Sequence, residues 1–244
     1  MSSDDAYVNA LRADKEQTLA YHTKSVVKTE QQKALEQLLL ARGIEPAQIA
    51  DLACGGGALS YHLKSLYPAA QFTLCDLDDT ALDLARQLNG EKNFVYRKED
   101  LNTLAGLADN SFDLVCCWQT LSWITDPQAA VRQFIRIAKP GARILCSSLF
   151  NLDHDVDIRA QMRDNTRPSG AQGYWAYYNT FSKRTVAEWL GDRASSHELH
   201  PFVPGIDIGY NGKGIGTFTV NSDRGRLQIS GGLLMNWAIL EIVK

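Results

Sequence analysis

Asp51-Leu-Ala-Cys-Gly-Gly-Gly57 is the stretch on which the reading of this chain turns. Before it lies a short apolar run, Gln48-Ile-Ala-Asp-Leu-Ala53, that reads as a strand. After it comes Ala58-Leu-Ser-Tyr-His-Leu-Lys-Ser-Leu66, which reads as a helix ended by Pro68. Glycine tolerates backbone dihedrals closed to other residues, so a passage from strand through glycines to helix can turn sharply. The missing side chains also let a nucleoside-like ligand approach the main chain. A dinucleotide fingerprint asks for G-x-G-x-x-G/A, which Ala53, Gly55 and Ala58 satisfy only loosely. The loop points to a nucleotide-like ligand without selecting one.

Working outward, the alternation continues. Gln71-Phe-Thr-Leu-Cys-Asp76 reads as a second strand, and Asp79 to Leu88 as a helix closed by Asn89-Gly90. Asn93-Phe-Val-Tyr-Arg97 is a third strand and Phe112-Asp-Leu-Val-Cys-Cys117 a fourth. Pro127 to Ile137 is helical, and Lys139-Pro-Gly-Ala142 turns the chain into a fifth strand, Arg143-Ile-Leu-Cys-Ser-Ser148. Upstream, the apolar spacing from Thr29 to Arg42 predicts a helix stopped by Gly43. Strands alternating with helices of about ten residues predict an α/β fold, a doubly wound, mainly parallel sheet covered on both faces. In such sheets ligands bind beyond the carboxyl ends of the strands.

After Phe150 the rhythm breaks. Residues 151–180 are polar and aromatic, with Arg159, Arg163 and Arg167 and the cluster Tyr174-Trp175-Ala-Tyr177-Tyr178. Arg159 and Arg163 are spaced to share a helix face and to bind a carboxylate or phosphate, or to form a solvated face. Phe181 to Leu190 reads as a helix capped by Ser182. The tail looks antiparallel: two short strands flank the turn Ser222-Asp-Arg-Gly225, and Trp237-Ala-Ile-Leu-Glu-Ile-Val243 is the last strand.

The 244 residues suit one α/β domain, with no repeat, low-complexity tract or linker. A 45% hydrophobic and 22% charged composition is ordinary for a globular protein. A net charge of -3 argues against charge-driven binding to nucleic acid. No signal-peptide pattern follows Met1, and no apolar run nears the roughly 20 residues of a membrane span. Cys54, Cys75, Cys116, Cys117 and Cys146 form no CxxC pair and sit in or beside strand-like segments, which predicts reduced core thiols and a cytoplasmic protein.

Two acids give the glycine loop its context. Asp76 ends the second strand, 25 residues after Asp51, where a carboxylate can accept from both ribose hydroxyls. Helix capping is the competing role, and Asp78 or Asp79 fits that better. Asp100, with Leu101, follows the third strand, where a carboxylate can meet an adenine amino group or simply serve a polar loop. These residues, in this order, resemble the class I S-adenosylmethionine-dependent methyltransferases, in particular the small-molecule branch called the type 11 methyltransferase domain. The resemblance spans about residues 48–148. Residues 51–57 match that family's D-x-G-x-G-x-G loop, with Ala53 in place of the first glycine.

The resemblance implies S-adenosylmethionine as cofactor, held by Asp51, Ala53, Cys54, Gly55, Gly57, Asp76, Leu77, Asp100, Leu101 and backbone near Trp118. It implies a seven-stranded sheet with a reversed C-terminal strand, to which this chain adds a hairpin. It divides the single domain into a helical lid over residues 1–45, a cofactor core over 46–148, a substrate-side insert over 149–182 and a C-terminal part over 183–244. Tyr21-His22 would belong to the lid. An acceptor would meet Gln119, Trp123, Arg163 and Tyr177, with His154 as candidate base. The partner is then a small molecule methylated on oxygen or nitrogen, with no nucleic acid or membrane partner. A dehydrogenase reading explains the glycines and Asp76 but not Asp100-Leu101 or the antiparallel tail. A binding protein without transfer activity and a protein or peptide methyltransferase are the alternatives. His197-Glu-Leu-His200 invites a metal reading, but in a strand residues three apart face opposite sides, so no metal is expected there.

Overall fold

A computed structural model describes residues 27–164, 174–210, 212, 217–223 and 225–244. The strand–helix alternation is present almost residue for residue. Helix α1 (Glu30–Arg42) opens with a reciprocal capping box between Thr29 and Gln32 and stops at Gly43, whose φ is 59°. Strand β1 (Gln48–Leu52) leads through the glycine loop into α2 (Ala58–Leu66). There follow β2 (Gln71–Asp76), α3 (Asp79–Asn89), β3 (Phe94–Lys98) and β4 (Phe112–Trp118). Helix α4 (Pro127–Ile137) has Asp126 as cap and Pro127 at its first position, so its start is set by side-chain chemistry and a fixed φ.

Strand β5 (Ala138–Asn151) is longer than the sequence suggests, because the Lys-Pro-Gly-Ala turn is absorbed as an irregularity opposite Phe112 and Leu114. The chain continues through β6 (Gln161–Asp164), β7 (Tyr174–Tyr177), β8 (Phe181–Ser182) and α5 (Lys183–Leu190). It ends with β9 (Ser196–Pro201), β10 (Phe218–Ser222), β11 (Gly225–Ser230), β12 (Leu233–Leu234) and β13 (Trp237–Val243).

The main sheet runs β3-β2-β1-β4-β5-β13-β9, with the two-residue β8 beside β5. Strands β1 to β5 are parallel and β13 is antiparallel to both neighbours, so the reversed last strand is present. Two apolar clusters cover the sheet. One joins Phe134, Phe150, Phe181 and Trp189 under α4 and α5, and the other joins Leu35, Leu39, Leu59, Leu63 and Phe72 under α1 and α2. Each such side chain contributes about 1.5–3 kcal/mol of burial.

Two expectations need amending. The hairpin β10–β11 gains a third short strand, β12, and forms a separate sheet. Arg159 and Arg163 do not share a helix. Residues 161–164 form β6, paired antiparallel with β7 so that Arg163 lies opposite Trp175. Arg159 instead stacks its guanidinium 4.8 Å from the Phe181 ring centre. Arg167 and the Tyr21-His22 pair lie outside the described residues. Among those described, no helix is long and apolar enough to cross a membrane.

Candidate cofactor site

The glycine loop is built by backbone strain and by a carboxylate that grips it. Ala53, Gly55 and Gly57 all have positive φ, at 54°, 52° and 77°. For Ala53 this is a costly conformation, of the kind that concentrates at functional sites. Asp76 at the end of β2 accepts the Gly55 N–H at 2.8 Å on one oxygen and the Asp78 N–H at 3.0 Å on the other. Asp78, meanwhile, caps α3 through the Thr80 N–H, so helix capping is taken over by its neighbour as the sequence suggested. A carboxylate has about four lone-pair positions, so these two bonds do not by themselves exhaust Asp76.

Gly57 is where the loop meets α3. A Cβ there would stand 2.5 Å from Asn89 Nδ2 and 2.9 Å from Ala85 Cβ. Asn89 Nδ2 donates to Gly57 O at 3.1 Å, so the close approach is itself a fastening. The role of Asn89 was hidden in the sequence, where Asn89-Gly90 reads only as a helix stop.

Asp51 lies beneath the loop, 1% exposed, and accepts from Ser60 Oγ at 2.6 Å. Burial pushes its carboxyl up to about 7, against the pull of the Ser60 hydrogen bonds and with a further push from the charge on Asp76. Burial also pushes the Cys54 thiol well above its ordinary range. All five cysteines are free, and all but Cys54 are buried.

Leu77 is half-buried beside Asp76. After β3, Asp100 Oδ1 accepts the Asn102 N–H at 2.8 Å, and its carbonyl accepts from Thr103 and Leu104, so the acid shapes its own turn. Leu101 is buried behind it. Strands β3, β2, β1 and β4 are consecutive neighbours, so Asp100, Asp76, the glycine loop and Trp118 all stand at one edge of the sheet, at the carboxyl ends.

The residues expected on the acceptor side divide. Gln119 follows β4 with a φ of 55°, its N–H held by Ser147 O at 2.9 Å. Trp123 lies in a 3-10 turn with its ring centre 4.2 Å from that of Tyr178, which belongs with Leu149 and Met235 to a small third core cluster. Tyr177 is half-buried at the end of β7. His154 is exposed on the loop after β5. A residue missed in the sequence is Gln31, buried near the start of α1, which accepts from the buried Ser147 Oγ at 2.8 Å and brings that helix end to the same edge.

His197 and His200 lie on β9, opposite Ile242 and Ile239 of β13, and do not face each other as ligands. His200, Glu198 and Glu241 bring three ligand atoms within 4.8 Å of one another. Arg42 Nη2, however, lies 2.8 Å from both carboxylates, and Arg143 pairs with Glu241. These guanidinium groups neutralise the acids, so the cluster reads as an ion network.

Known proteins resemble this chain in both sequence and fold. Residues 50–146 match the model of a family described as a methyltransferase domain. The matched stretch is the strand–helix alternation from β1 into β5. The ubiquinone biosynthesis O-methyltransferase of Xanthomonas oryzae pv. oryzae is 37% identical over 106 residues, which are 42% of this chain and 43% of that protein. The malonyl-(acyl-carrier protein) O-methyltransferase of Hahella chejuensis is 31% identical over 104 residues, 43% of this chain and 37% of that protein. The matches thus span less than half the length of these relatives. Among solved structures, the DhpI–SAH complex aligns with a TM-score of 0.59 at 15% identity, over 98% of this chain and 95% of that one. Magnesium protoporphyrin IX methyltransferase from Synechocystis with bound SAM aligns at 0.50 and 18% identity, over 88% and 80%. The fold shared with these structures therefore extends through the antiparallel C-terminal strands.

Proposed function

We propose that this chain, acting as a single domain, transfers a methyl group from S-adenosylmethionine to an oxygen or nitrogen atom of a small molecule. The observation that carries the proposal is Asp76, held by the Gly55 and Asp78 N–H groups at the end of β2 beside a strained glycine loop. The residue set fits such a cofactor. Asp76 would take the ribose, Asp100 and Leu101 the adenine, and Ala53 to Gly57 with Trp118 the amino-acid end. Both curated relatives named above are O-methyltransferases, which favours oxygen as the methylated atom.

Bound S-adenosylmethionine supplies a methyl on a sulfonium, open to in-line attack by the acceptor. The task of the chain is to align the two reactants and exclude water. Gln119 and Trp123, on the loop after β4, and Tyr177 and Arg163, on β6–β7, would position the acceptor. A base is needed only where the acceptor carries a proton, and His154 is the candidate. Free, mostly buried thiols are consistent with a reducing cytoplasm. The net charge of -3 gives no general attraction to nucleic acid.

Calorimetry tests the cofactor. Asp76→Ala and Gly55→Val should each weaken S-adenosylmethionine binding tenfold or more, and unchanged binding in both sinks the assignment. An acceptor screen with methyl-labelled cofactor then tests transfer. Tight cofactor binding with no labelled product would favour a binding protein, and label in polypeptide would favour a protein methyltransferase.

A further inference from the structure

Asp51 is a buried acid with no positive charge set against it. As the next-to-last residue of β1 it lies between Leu74 of β2 and Cys116 of β4, in the middle of the sheet. Its polar partner is Ser60, in the first turn of α2, through the hydroxyl at 2.6 Å and the backbone N–H. The ionisable groups that face it are Asp76, which shares its sign, and the thiols of Cys54, Cys75, Cys116 and Cys117. Burial pushes all four thiols up, so they stay uncharged at neutral pH. Two opposed tendencies meet at this one carboxyl. Burial and Asp76 favour the acid, while two hydrogen bonds from the start of a helix favour the carboxylate. The balance falls at about 7, so a modest change in local potential tips it. A unit charge about 10 Å away shifts such an equilibrium roughly tenfold at an effective dielectric of about 20.

We propose that Asp51 is the group by which the domain tells the charged cofactor from its demethylated product: it gives its proton to solvent when S-adenosylmethionine binds and keeps it when S-adenosylhomocysteine binds. This rests on the cofactor reading above, in which the loop directly after Asp51 holds the amino-acid end. The two ligands differ there by one charge, a sulfonium against a neutral thioether, and the ammonium and carboxylate common to both offset each other. Only the sulfonium therefore brings a net positive charge towards the buried acid and favours its ionised form. Asp51 touches neither ligand in this account. It acts through its charge from beneath the loop, and so raises affinity for the cofactor over the product.

Calorimetry on the full chain, in two buffers of different ionisation enthalpy, counts the protons exchanged as each ligand binds. At about pH 6.5 S-adenosylmethionine should release about half a proton more than S-adenosylhomocysteine. A proton that must leave is harder to remove in acid. Affinity for S-adenosylmethionine should therefore rise about fivefold, relative to S-adenosylhomocysteine, from about pH 5.5 to about pH 7. Asp51→Asn keeps an acceptor for Ser60 and should bind both ligands with both differences gone. Equal proton release by the two ligands in the wild type overturns the proposal alone, as does a difference that survives in Asp51→Asn. Should the variant fold poorly, infrared difference spectra of the wild type decide. The carbonyl band of a protonated carboxyl should weaken with S-adenosylmethionine and persist with S-adenosylhomocysteine, and a band unchanged by both overturns the proposal. If the wild-type protein binds neither ligand, the cofactor reading fails and takes the proposal with it.

Discussion

Asp51 is a carboxyl group kept in a place that disfavours its charge. Its side-chain partner is a neutral hydroxyl, Ser60, and the charge that acts on it, Asp76, has the same sign. A folded pKa near 7 against an ordinary 3.8 means that the folded state prefers the protonated acid. The sign follows: the group's contribution to stability is full below about pH 4 and is lost as pH rises towards 7. That interval corresponds to about 4 kcal/mol. Asn at position 51 can still accept from Ser60 but carries no charge. Asp51→Asn should therefore gain on the wild type by about 3 kcal/mol between pH 4 and pH 8, read as the difference in urea unfolding free energy. A difference that is flat with pH would show that Asp51 stays ionised throughout. The sequence made Asp51 legible as the first residue of a motif, but its protonation depends on Ser60 and on burial, which no spacing reveals.

Helix α1 shows the same logic one level up. It lies over β5 and β13 and is fastened at both ends: Gln31 to Ser147 at the cofactor edge, and Arg42 to Glu241 at the far edge. Leu35 and Leu39 fill the space between. Eleven residues of helix span about 17 Å, comparable to the four residues of strand from Ser147 to Arg143 with side chains reaching outward. Glu241 is 2% exposed and receives Arg42, Arg143 and His200. Burial alone would push its carboxyl up, but the hydrogen bonds from Arg42 and His200 and the two guanidinium charges outweigh it and hold it below the usual range. Glu241→Gln should cost about 3 kcal/mol at pH 7, because it strands Arg143 and leaves Arg42 only the exposed Glu198. A lowered pKa stabilises above the ordinary 4.5 and is lost as pH falls below it, so the deficit should shrink in acid. Chemical denaturation at pH 7 and pH 3.5 measures both, and equal deficits would contradict the ionised network. The helix itself was readable from apolar spacing and Gly43, but a pair 199 residues apart was not. The Arg159–Arg163 spacing misled for a related reason: positions four apart share a face in a helix and also in a strand, and here the β-prone Tyr174–Tyr177 run supplied a strand partner.

At the scale of the molecule, the order of strands along the chain differs from their order in the sheet. The alternation up to Ser148 foretold β1 to β5 because each strand–helix unit is local, and right-handed crossovers leave few ways to arrange them. The place of β13 is not local. The final strand inserts between β5 and β9, making seven paired positions with one and six with the other. Among the described residues, β9 has no other neighbour in the sheet, and β5 has only the two-residue β8 beyond its parallel contact with β4. Glu241, Ile239 and Leu240 also leave with this strand, taking the α1 fastening and part of both core clusters. Folding of the sheet must therefore wait for contacts of high sequence separation, which slows it and couples its two halves. A chain ending after Asn236 loses only eight residues, yet it should show no cooperative urea transition and no near-UV circular dichroism, while retaining far-UV helical signal from local segments. If instead the shortened chain unfolds cooperatively and still binds S-adenosylhomocysteine, then β1 to β5 form a self-sufficient unit. The antiparallel tail would in that case be an addition to the cofactor fold and not part of what closes it.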